Sequence, residues 1–353
     1  MNVIIDANVL KNGETGIEHY TARLIQTMRR RCRVCLLRNC DIQHDVFTGM
    51  KLITTRHLRF FCSRVVYALL APFRKTTDII HLPTPVAPFF FKPKQSKLVV
   101  TVHDLIPLTH PHLHTWRNRI YFRLFLPHLL RQADAVITVS GSTKKDIMRL
   151  FRIPASRVHV IPLASDITPT RERYGGLPAS VNNYVLYVGT LEPRKNLIRL
   201  IDAFLSVNTD AHLVIVGPLG WHTKGIIRRH PRIHFTGRVS REALRQLYSH
   251  ATVFAYPSLY EGFGIPILEA MRCGVPVLTS KTSSMPEVGG DAAVYVDPYD
   301  VMDIARHLER LLTNITLRKT LIQKGKLRVA NYSWEKVGKQ TLDVYRAVHA
   351  AKD

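Results

Sequence analysis

The chain is short of acid, short of cysteine and without long apolar runs. Its 353 residues hold 26 Asp+Glu against 50 Lys+Arg, a formal net charge of +24. A deficit of acid this large implies an anionic partner: nucleic acid, a phosphorylated ligand or an anionic membrane surface. Five cysteines is an odd count, which points to a reduced, cytosolic chain rather than a disulfide framework. Cys32, Cys35 and Cys40 imitate a metal spacing. No second Cys/His pair follows at zinc-site spacing, so they read as residues flanking a strand around Val34, Leu36 and Leu37. No run reaches the roughly 18 apolar residues needed to span a bilayer. The nearest, Phe60 to Phe73, is interrupted by Arg64. The first residues show no basic region followed by an apolar core, so no secretory signal is read there. Short-period repeats and low-complexity segments are also missing.

What is present suffices for real cores. Hydrophobic residues make up 46% of the chain, which excludes a disordered protein, and the length suggests two domains. The positive charge is uneven. Residues 1–165 hold 25 Lys+Arg and 9 Asp+Glu, a balance of +16; residues 166–353 hold 25 and 17, a balance of +8.

Strands and helices alternate. Asn2–Asp6, Lys97–His103, Asp134–Ser140 and Val158–Leu163 read as apolar strands, and Gly16–Met28 has helical spacing. A polar stretch, Ala164–Asn183, reads as a linker. The rhythm then restarts with strands at Tyr184–Val188, His212–Val216, Ile233–Thr236, Val253–Tyr256 and Val275–Leu278. Helices are expected at Asn196–Leu205, Arg241–Ser249, Pro266–Arg272 and Trp334–Val348. Continuous apolar strands alternating with helices predict parallel sheets covered on both faces, here two doubly wound Rossmann-like domains. The expected domains are 1–165 and 166–330, with a last helix in 331–353 packing back toward the first. Such sheets bind ligands at the carboxyl ends of their strands, so the expected site is the cleft between the domains.

Two stretches carry chemistry. The first runs Pro257-Ser-Leu-Tyr-Glu261-Gly-Phe-Gly264-Ile-Pro266-Ile-Leu-Glu269. Gly262 and Gly264 allow a tight turn, Pro266 suits a first helical turn, and the helix N-terminus suits a phosphate. Glu261 and Glu269 suit hydroxyl donors, as on sugars; a surface loop with a solvated helix Glu is the plain alternative. The second runs Gly189-Thr-Leu-Glu-Pro-Arg194-Lys195-Asn196 directly after a strand. Two cations there can clamp a diphosphate. As an ordinary helix start they would oppose the helix dipole.

These two motifs resemble those of the retaining nucleotide-sugar glycosyltransferases of family 4, whose two-Rossmann-domain architecture is called GT-B. The resemblance continues in Gly217, Thr236-Gly237-Arg238, Cys273-Gly274-Val275-Pro276-Val277, Ser283-Ser284-Met285-Pro286-Glu287-Val288, Gly290-Asp291-Ala292-Ala293 and Tyr332-Ser333-Trp334-Glu335. In the first half it includes Thr15-Gly16-Ile17-Glu18-His19-Tyr20, His103-Asp104 and Ser140. It implies that Arg194 and Lys195 hold the donor diphosphate and stabilise the leaving group. It implies that Glu261 contacts donor-sugar hydroxyls and Glu269 the nucleotide ribose. Gly264 and Ile265 would lend backbone N–H groups, with Gly189, Gly217, Arg238, Gly262 and Phe263 also lining the donor site. His103 would sit near the transferred sugar. Gly16 would belong to a loop touching donor or acceptor, where the family often has paired glycines and Thr15-Gly16 has one. His81 is read as structural.

Breaking a sugar–phosphate bond builds negative charge on the departing nucleotide, which preorganised cations address. An Arg/Lys clamp can replace a metal, and no Asp-x-Asp pair occurs in the chain. The expected protein is therefore a metal-independent enzyme without a cofactor, the nucleotide sugar being its substrate. The mannosyltransferase-like branch of bacterial surface polysaccharide synthesis is the best match, with GDP-mannose the first donor and UDP-sugars the alternative. The expected acceptor is a saccharide or a polyprenyl-linked one. Arg56–Lys75, with Phe60, Phe61, Tyr67 and Phe73, and Trp116–Arg131, with Tyr121, Phe122 and Phe125, combine cations with aromatics. Basic aromatic helices suit an anionic membrane. A cytoplasmic protein, peripheral on the inner face of the bacterial membrane, is expected. A nucleic-acid-binding protein is the competing class, but no helix-turn-helix, zinc-finger or RNP signature is present. A degenerate transferase that only binds is a third reading, opposed by the intact Arg194, Lys195, Glu261 and Glu269.

Overall fold

Runs rich in Val, Ile and Leu become strands whose side chains are covered on both faces, as in Ile79–Leu82, Ala135–Thr138 and Tyr184–Val188. The computed structural model describes residues 1–10, 15–39, 44–55, 77–85, 95–113, 115–221, 225 and 227–351. The basic segment Arg56–Lys75 lies outside the described residues, as does Cys40.

The chain divides into two units: Met1–Leu163 with Trp334–Asp353, and Ala164–Ser333. The sequence reading drew its boundary at 165/166; the closing helix Trp334–Ala350 falls within the first unit.

Among the described residues the first unit holds seven parallel strands: β1 (Asn2–Asp6), β2 (Arg33–Asn39), β3 (Lys51–Thr55), β4 (Ile79–Leu82), β5 (Lys97–Val102), β6 (Ala135–Thr138) and β7 (Val158–Val160). Their spatial order is β3-β2-β1-β4-β5-β6-β7. Ile4 lies opposite Cys35 on one side and Ile80 on the other. The chain winds outward one way from β1 and resumes on its other side at β4, so the switch point lies between β1 and β4.

The second unit repeats the plan with, among the described residues, six parallel strands: β8 (Tyr184–Val188), β9 (His212–Val216), β10 (Ile233–Gly237), β11 (Val253–Tyr256), β12 (Val277–Ser280) and β13 (Ala293–Val296). Their order is β10-β9-β8-β11-β12-β13, with the switch point between β8 and β11. Its core joins Val185, Tyr187, Leu200, Phe204, Ile215 and Leu308 under the helices Leu197–Ser206 and Val301–Thr313.

β5, β6 and β7 are shorter than the apolar runs Lys97–His103, Asp134–Ser140 and Val158–Leu163, and three further elements differ from expectation for local reasons. β12 begins at Val277 rather than Val275, because Gly274, Val275 and Pro276 form the exit from the helix Ile265–Arg272; Val275 N–H still bonds the Ala270 carbonyl, and Pro276 has no N–H for the ladder. Asn196 is not helical but sits at φ +60° as the cap of Leu197–Ser206. The segment Trp116–Arg131 is two helices, Trp116–Leu124 and Leu126–Gln132. Pro127 cannot donate to Arg123 and crowds its carbonyl, so the helix breaks at Phe125.

Candidate active site

The site in the second unit is assembled by two loops at the switch point. One follows β8 and runs through a single 3-10 turn, Pro193–Lys195. The other follows β11 and leads into the helix Ile265–Arg272. Asn196 fastens them together. Its buried amide donates to the carbonyls of Pro257 (3.0 Å) and Pro298 (2.6 Å). The Leu259 N–H adds a bond to the Arg194 carbonyl at 2.8 Å. The αL conformation of Asn196 turns the chain so that Arg194 and Lys195 lie before the helix rather than in its first turn.

Both cations converge on Glu261. Arg194 Nη1 lies 2.6 Å from Oε2, and Lys195 Nζ lies 2.7 Å from Oε1. Tyr256, the last residue of β11, donates its hydroxyl to Oε1 at 2.9 Å and accepts from Lys195 Nζ. Glu192 faces the Arg194 Nε at 2.5 Å. Lys195 and Glu261 are each 7% exposed, Glu192 is 2% exposed and the Arg194 side chain 17%, so three buried charged groups and one half-buried guanidinium share one cluster. Buried charges persist only when paired, and here two carboxylates balance two cations. Burial pushes the Glu261 carboxyl up, but Arg194, Lys195 and the hydrogen bonds from Lys195 and Tyr256 outweigh it and hold the group down to about 2. Burial and then Arg194 lower Lys195, against the pull of Glu261. Of the roughly four lone-pair positions on a carboxylate, Glu261 uses three; Oε2 retains one for a hydroxyl.

The loop after β11 is held by hydroxyls from the end of β12. Thr279 donates to the Tyr256 carbonyl, Ser280 to Ser258, Thr282 to Leu259 and Ser283 to Glu261. The buried Ser284 hydroxyl reaches the carbonyls of both Glu261 (2.9 Å) and Phe263 (2.7 Å). A trans peptide points its C=O and the next N–H to opposite sides, so fixing these carbonyls aims the Gly262 and Gly264 N–H groups the other way. Gly264 caps the helix Ile265–Arg272 at φ +112°, a conformation open to glycine. The N-terminus of this helix thus lies in the same loop as Glu261, a placement that suits an anion. Replacing Ser284 with alanine is expected to weaken binding of a nucleotide diphosphate roughly tenfold, the worth of one to two lost hydrogen bonds, with far-ultraviolet circular dichroism unchanged. Calorimetric titration with GDP checks it.

The structure brings Arg194, Lys195, Glu261, Gly262, Phe263, Gly264 and Ile265 to these two loops. Gly189 packs against the Lys195 side chain; a Cβ there would sit 3.5 Å from Lys195 Cε. Gly217, at the end of β9, lies against the Gly189 carbonyl. Glu269 is not part of the charged cluster. Its carboxylate accepts from the Tyr248 hydroxyl at 3.0 Å, at the far end of a row of rings running Tyr187, Tyr256, Phe254, Tyr248. Arg238 is exposed in the turn after β10. The Phe263 ring meets Tyr332 edge-on.

Gly16 and His103 belong to the first unit; Gly16 follows β1, at the switch point, and His103 follows β5, the strand next to β4. Gly16 is exposed and opens the helix Gly16–Met28, where Thr15 and Glu18 form a reciprocal capping box. His103 Nε2 lies 2.9 Å from the Pro83 carbonyl oxygen. A carbonyl can only accept, so Nε2 carries the proton and Nδ1 is the acceptor of the neutral ring. Burial lowers the His103 pKa against the opposing pull of that hydrogen bond and of Asp104, which favours this neutral form. His81 is wholly buried; Nε2 lies 2.8 Å from Thr101 Oγ1 and Nδ1 2.5 Å from the Tyr345 hydroxyl.

Sequence reasoning missed Glu192, Tyr256 and the hydroxyl row. Glu192 was legible as the only acid in the Gly189–Asn196 motif. The clustering of Thr279, Ser280, Thr282, Ser283 and Ser284 was legible too, but its partners were not. Tyr187, whose buried hydroxyl lies beside Gly189 without a hydrogen-bond partner among the described residues, gave no signal.

Two doubly wound parallel-sheet units, the second with a charged cluster at its switch point, define a GT-B glycosyltransferase. The family described as "Glycosyl transferases group 1" matches residues 171–328, and "Glycosyltransferase Family 4" matches residues 15–168. The chain is 36% identical over 276 residues to O-antigen chain mannosyltransferase B of Escherichia coli, covering 73% of this chain and 72% of that one. It is 31% identical over 271 residues to the MMP alpha-(1->4)-mannosyltransferase of Mycolicibacterium hassiacum, covering 70% and 64%. It matches the serotype-specific mannosyltransferase WbdA of Escherichia coli at 30% over 285 residues, which is 73% of this chain but only 34% of that larger protein. Among solved structures, sucrose-phosphate synthase from Thermosynechococcus elongatus superposes with a TM-score of 0.77 at 20% identity, covering both chains completely. Anabaena Alr3699/HepE in complex with UDP-glucose superposes at 0.75 and 18% identity, covering 98% of this chain and 100% of that one. The chain belongs to glycosyltransferase family 4 and is a glycosyltransferase.

Proposed function

We propose that the chain transfers mannose from GDP-mannose, with retention and without a metal, to a saccharide or polyprenyl-linked acceptor in the synthesis of a bacterial surface polysaccharide such as O-antigen. The observation that carries this reading is the Arg194–Lys195–Glu261 cluster at the β8/β11 switch point, with the N-terminus of the helix Ile265–Arg272 in the same loop as Glu261. The names of the relatives supply the sugar. Glu261 and Tyr256 hold the cations in place before the donor arrives, so their charge is preorganised for the departing diphosphate. With two cations already at the diphosphate, divalent metal is not required, and transfer is expected to persist in chelator. The leaving phosphate would help to deprotonate the acceptor on the same face of the sugar. A thermal-shift panel of nucleotide sugars tests the donor, because only a bound donor raises apparent stability. GDP-mannose is expected to give the largest shift; a larger shift with a UDP-sugar would overturn the donor assignment while leaving the site standing.

The first unit would rest on an anionic leaflet through the helix Trp116–Leu124. No residue of this helix is buried, and it contains no acid. Tyr121, Phe122 and Phe125 do not form its apolar face: Phe122 packs on the core, and Tyr121 donates its hydroxyl to the Pro85 carbonyl. The exposed stripe is instead Trp116, Ile120 and Leu124, at 64%, 48% and 63% exposure, four residues apart and flanked by Arg117, Arg119 and Arg123. Such a face suits the interfacial region. No helix among the described residues is long and apolar enough to cross a membrane. Flotation at low salt is expected to carry the protein with phosphatidylglycerol vesicles, and Trp116→Ala with Leu124→Ala to leave most of it behind. Absence of wild-type flotation would contradict the membrane assignment alone.

A further inference from the structure

At the amino edge of the first sheet the chain runs Arg29-Arg30-Arg31-Cys32-Arg33, from the end of the helix Gly16–Met28 into β2. The closing helix Trp334–Ala350 reaches the same edge and adds Arg346 and His349. It can lie this close because residue 338 is glycine: a Cβ there would stand 2.7 Å from the Thr27 Cβ. Arg31 locks the contact, donating to the Thr27 carbonyl at 2.7 Å and pairing with Glu335. The Arg29–Arg33 run, Arg346 and His349 line a surface cavity of about 670 Å³, within the range of small-molecule sites. No acid lines it. It sits at the amino ends of β1 and β2, whereas Gly16 and His103 follow strand carboxyl ends.

Helix ends alone do not account for this charge. Two helix C-termini present about half a negative charge each. Glu335 and Asp343, the acids that pair with Arg30, Arg31 and Arg346, together with Asp78, whose carboxylate accepts from the Asn2 N–H, bring the total to about four. Five guanidiniums face that total. Arg29 and Arg33 make no ion pair among the described residues, and the Arg346–Asp343 approach is 4.0 Å. A concave surplus of positive charge concentrates anions, and guanidinium forks match phosphate oxygens in two-point contacts.

We infer that the cavity lined by Arg29, Arg30, Arg31, Arg33, Arg346 and His349 is a binding site for a ligand carrying two or more phosphate groups, separate from the donor site. It owes nothing to the donor reading, since it lies in the other unit and its test reads binding rather than transfer. Equilibrium dialysis of the full chain with radiolabelled pyrophosphate at low salt measures the stoichiometry. The variant Arg29→Gln/Arg33→Gln/Arg346→Gln is expected to bind one pyrophosphate fewer per chain than wild type, with its thermal midpoint unchanged. Arg29→Gln alone, an exposed side chain without an ion pair, is expected to weaken that same site roughly tenfold, so the test survives a poorly folded triple variant. Equal stoichiometry and affinity in wild type and variants would overturn the proposal. Given the expected loss, cardiolipin vesicles identify the source: capture lost in the triple variant assigns a lipid headgroup, and capture retained assigns a soluble phosphate compound.

Discussion

Glu261→Ala is expected to cost folding stability as well as transfer. The substitution leaves Lys195 buried without its anion, since Arg194 retains Glu192 at 2.5 Å. Stranding one member of a buried ion pair costs about 3–5 kcal/mol, and denaturant unfolding of the variant should show a loss of that size. Turnover should fall by roughly a hundredfold to a thousandfold, the usual effect of losing a preorganised charge at a reacting centre. The double variant Glu261→Ala/Lys195→Met separates the two effects. Removing the stranded cation should return most of the stability and none of the turnover, because the charge that addresses the diphosphate is then gone. If Glu261→Ala unfolds at the same denaturant concentration as wild type, the carboxylate does not hold the cations together.

Acid is expected to destabilise the first unit through His81. The ring is fully buried and its two nitrogens are taken by Thr101 and Tyr345, so burial lowers its pKa to about 3. An unfolded histidine titrates near 6.5. Below that value the unfolded chain binds a proton that the folded chain refuses. Stability contributed by the neutral ring is therefore complete above pH 6.5 and is lost as pH falls toward 3, with roughly 3 kcal/mol gone near pH 4.5. His81→Gln keeps a polar partner for Thr101 but cannot titrate. Its unfolding free energy should be lower than wild type at pH 7 and should show less of this acid slope. Equal slopes in the two proteins would remove His81 as the cause. The same ring ties the closing helix to β4 and β5, which explains why a polar residue occupies the middle of the apolar strand Ile79–Leu82.

Much of this was legible in the chain. β1, β8, β9 and β11 coincide with the apolar runs that predict them, because strands buried on both faces leave unbroken hydrophobic stretches. The helix Gly16–Met28 was legible from its spacing. The Gly189–Asn196 and Pro257–Glu269 stretches were legible as a pair of loops following strands, and the structure joins them through Asn196. What they do to one another was not legible. Arg194 and Lys195 read as cations set against a helix dipole, but they precede the helix and meet Glu261, some 67 residues later. That pairing depends on the β8–β11 adjacency, which the order of residues does not state. The partners of the hydroxyl row Thr279–Ser284 were invisible for the same reason, since they are carbonyls of Tyr256 and the loop after it. In Trp116–Arg131 the aromatic residues drew attention, yet periodicity selects Trp116, Ile120 and Leu124 as the outward face once Pro127 ends the helix.

Calorimetric titration of GDP-mannose in the presence of a chelator, into wild type and into Lys195→Met, tests the central claim that a cation cluster holds the donor diphosphate without a metal. Wild type should bind with its affinity unchanged by the chelator. Lys195→Met should bind roughly ten- to a hundredfold more weakly, the worth of one charge-assisted contact. Equal affinity in the two proteins, or binding that vanishes with the chelator, would contradict it.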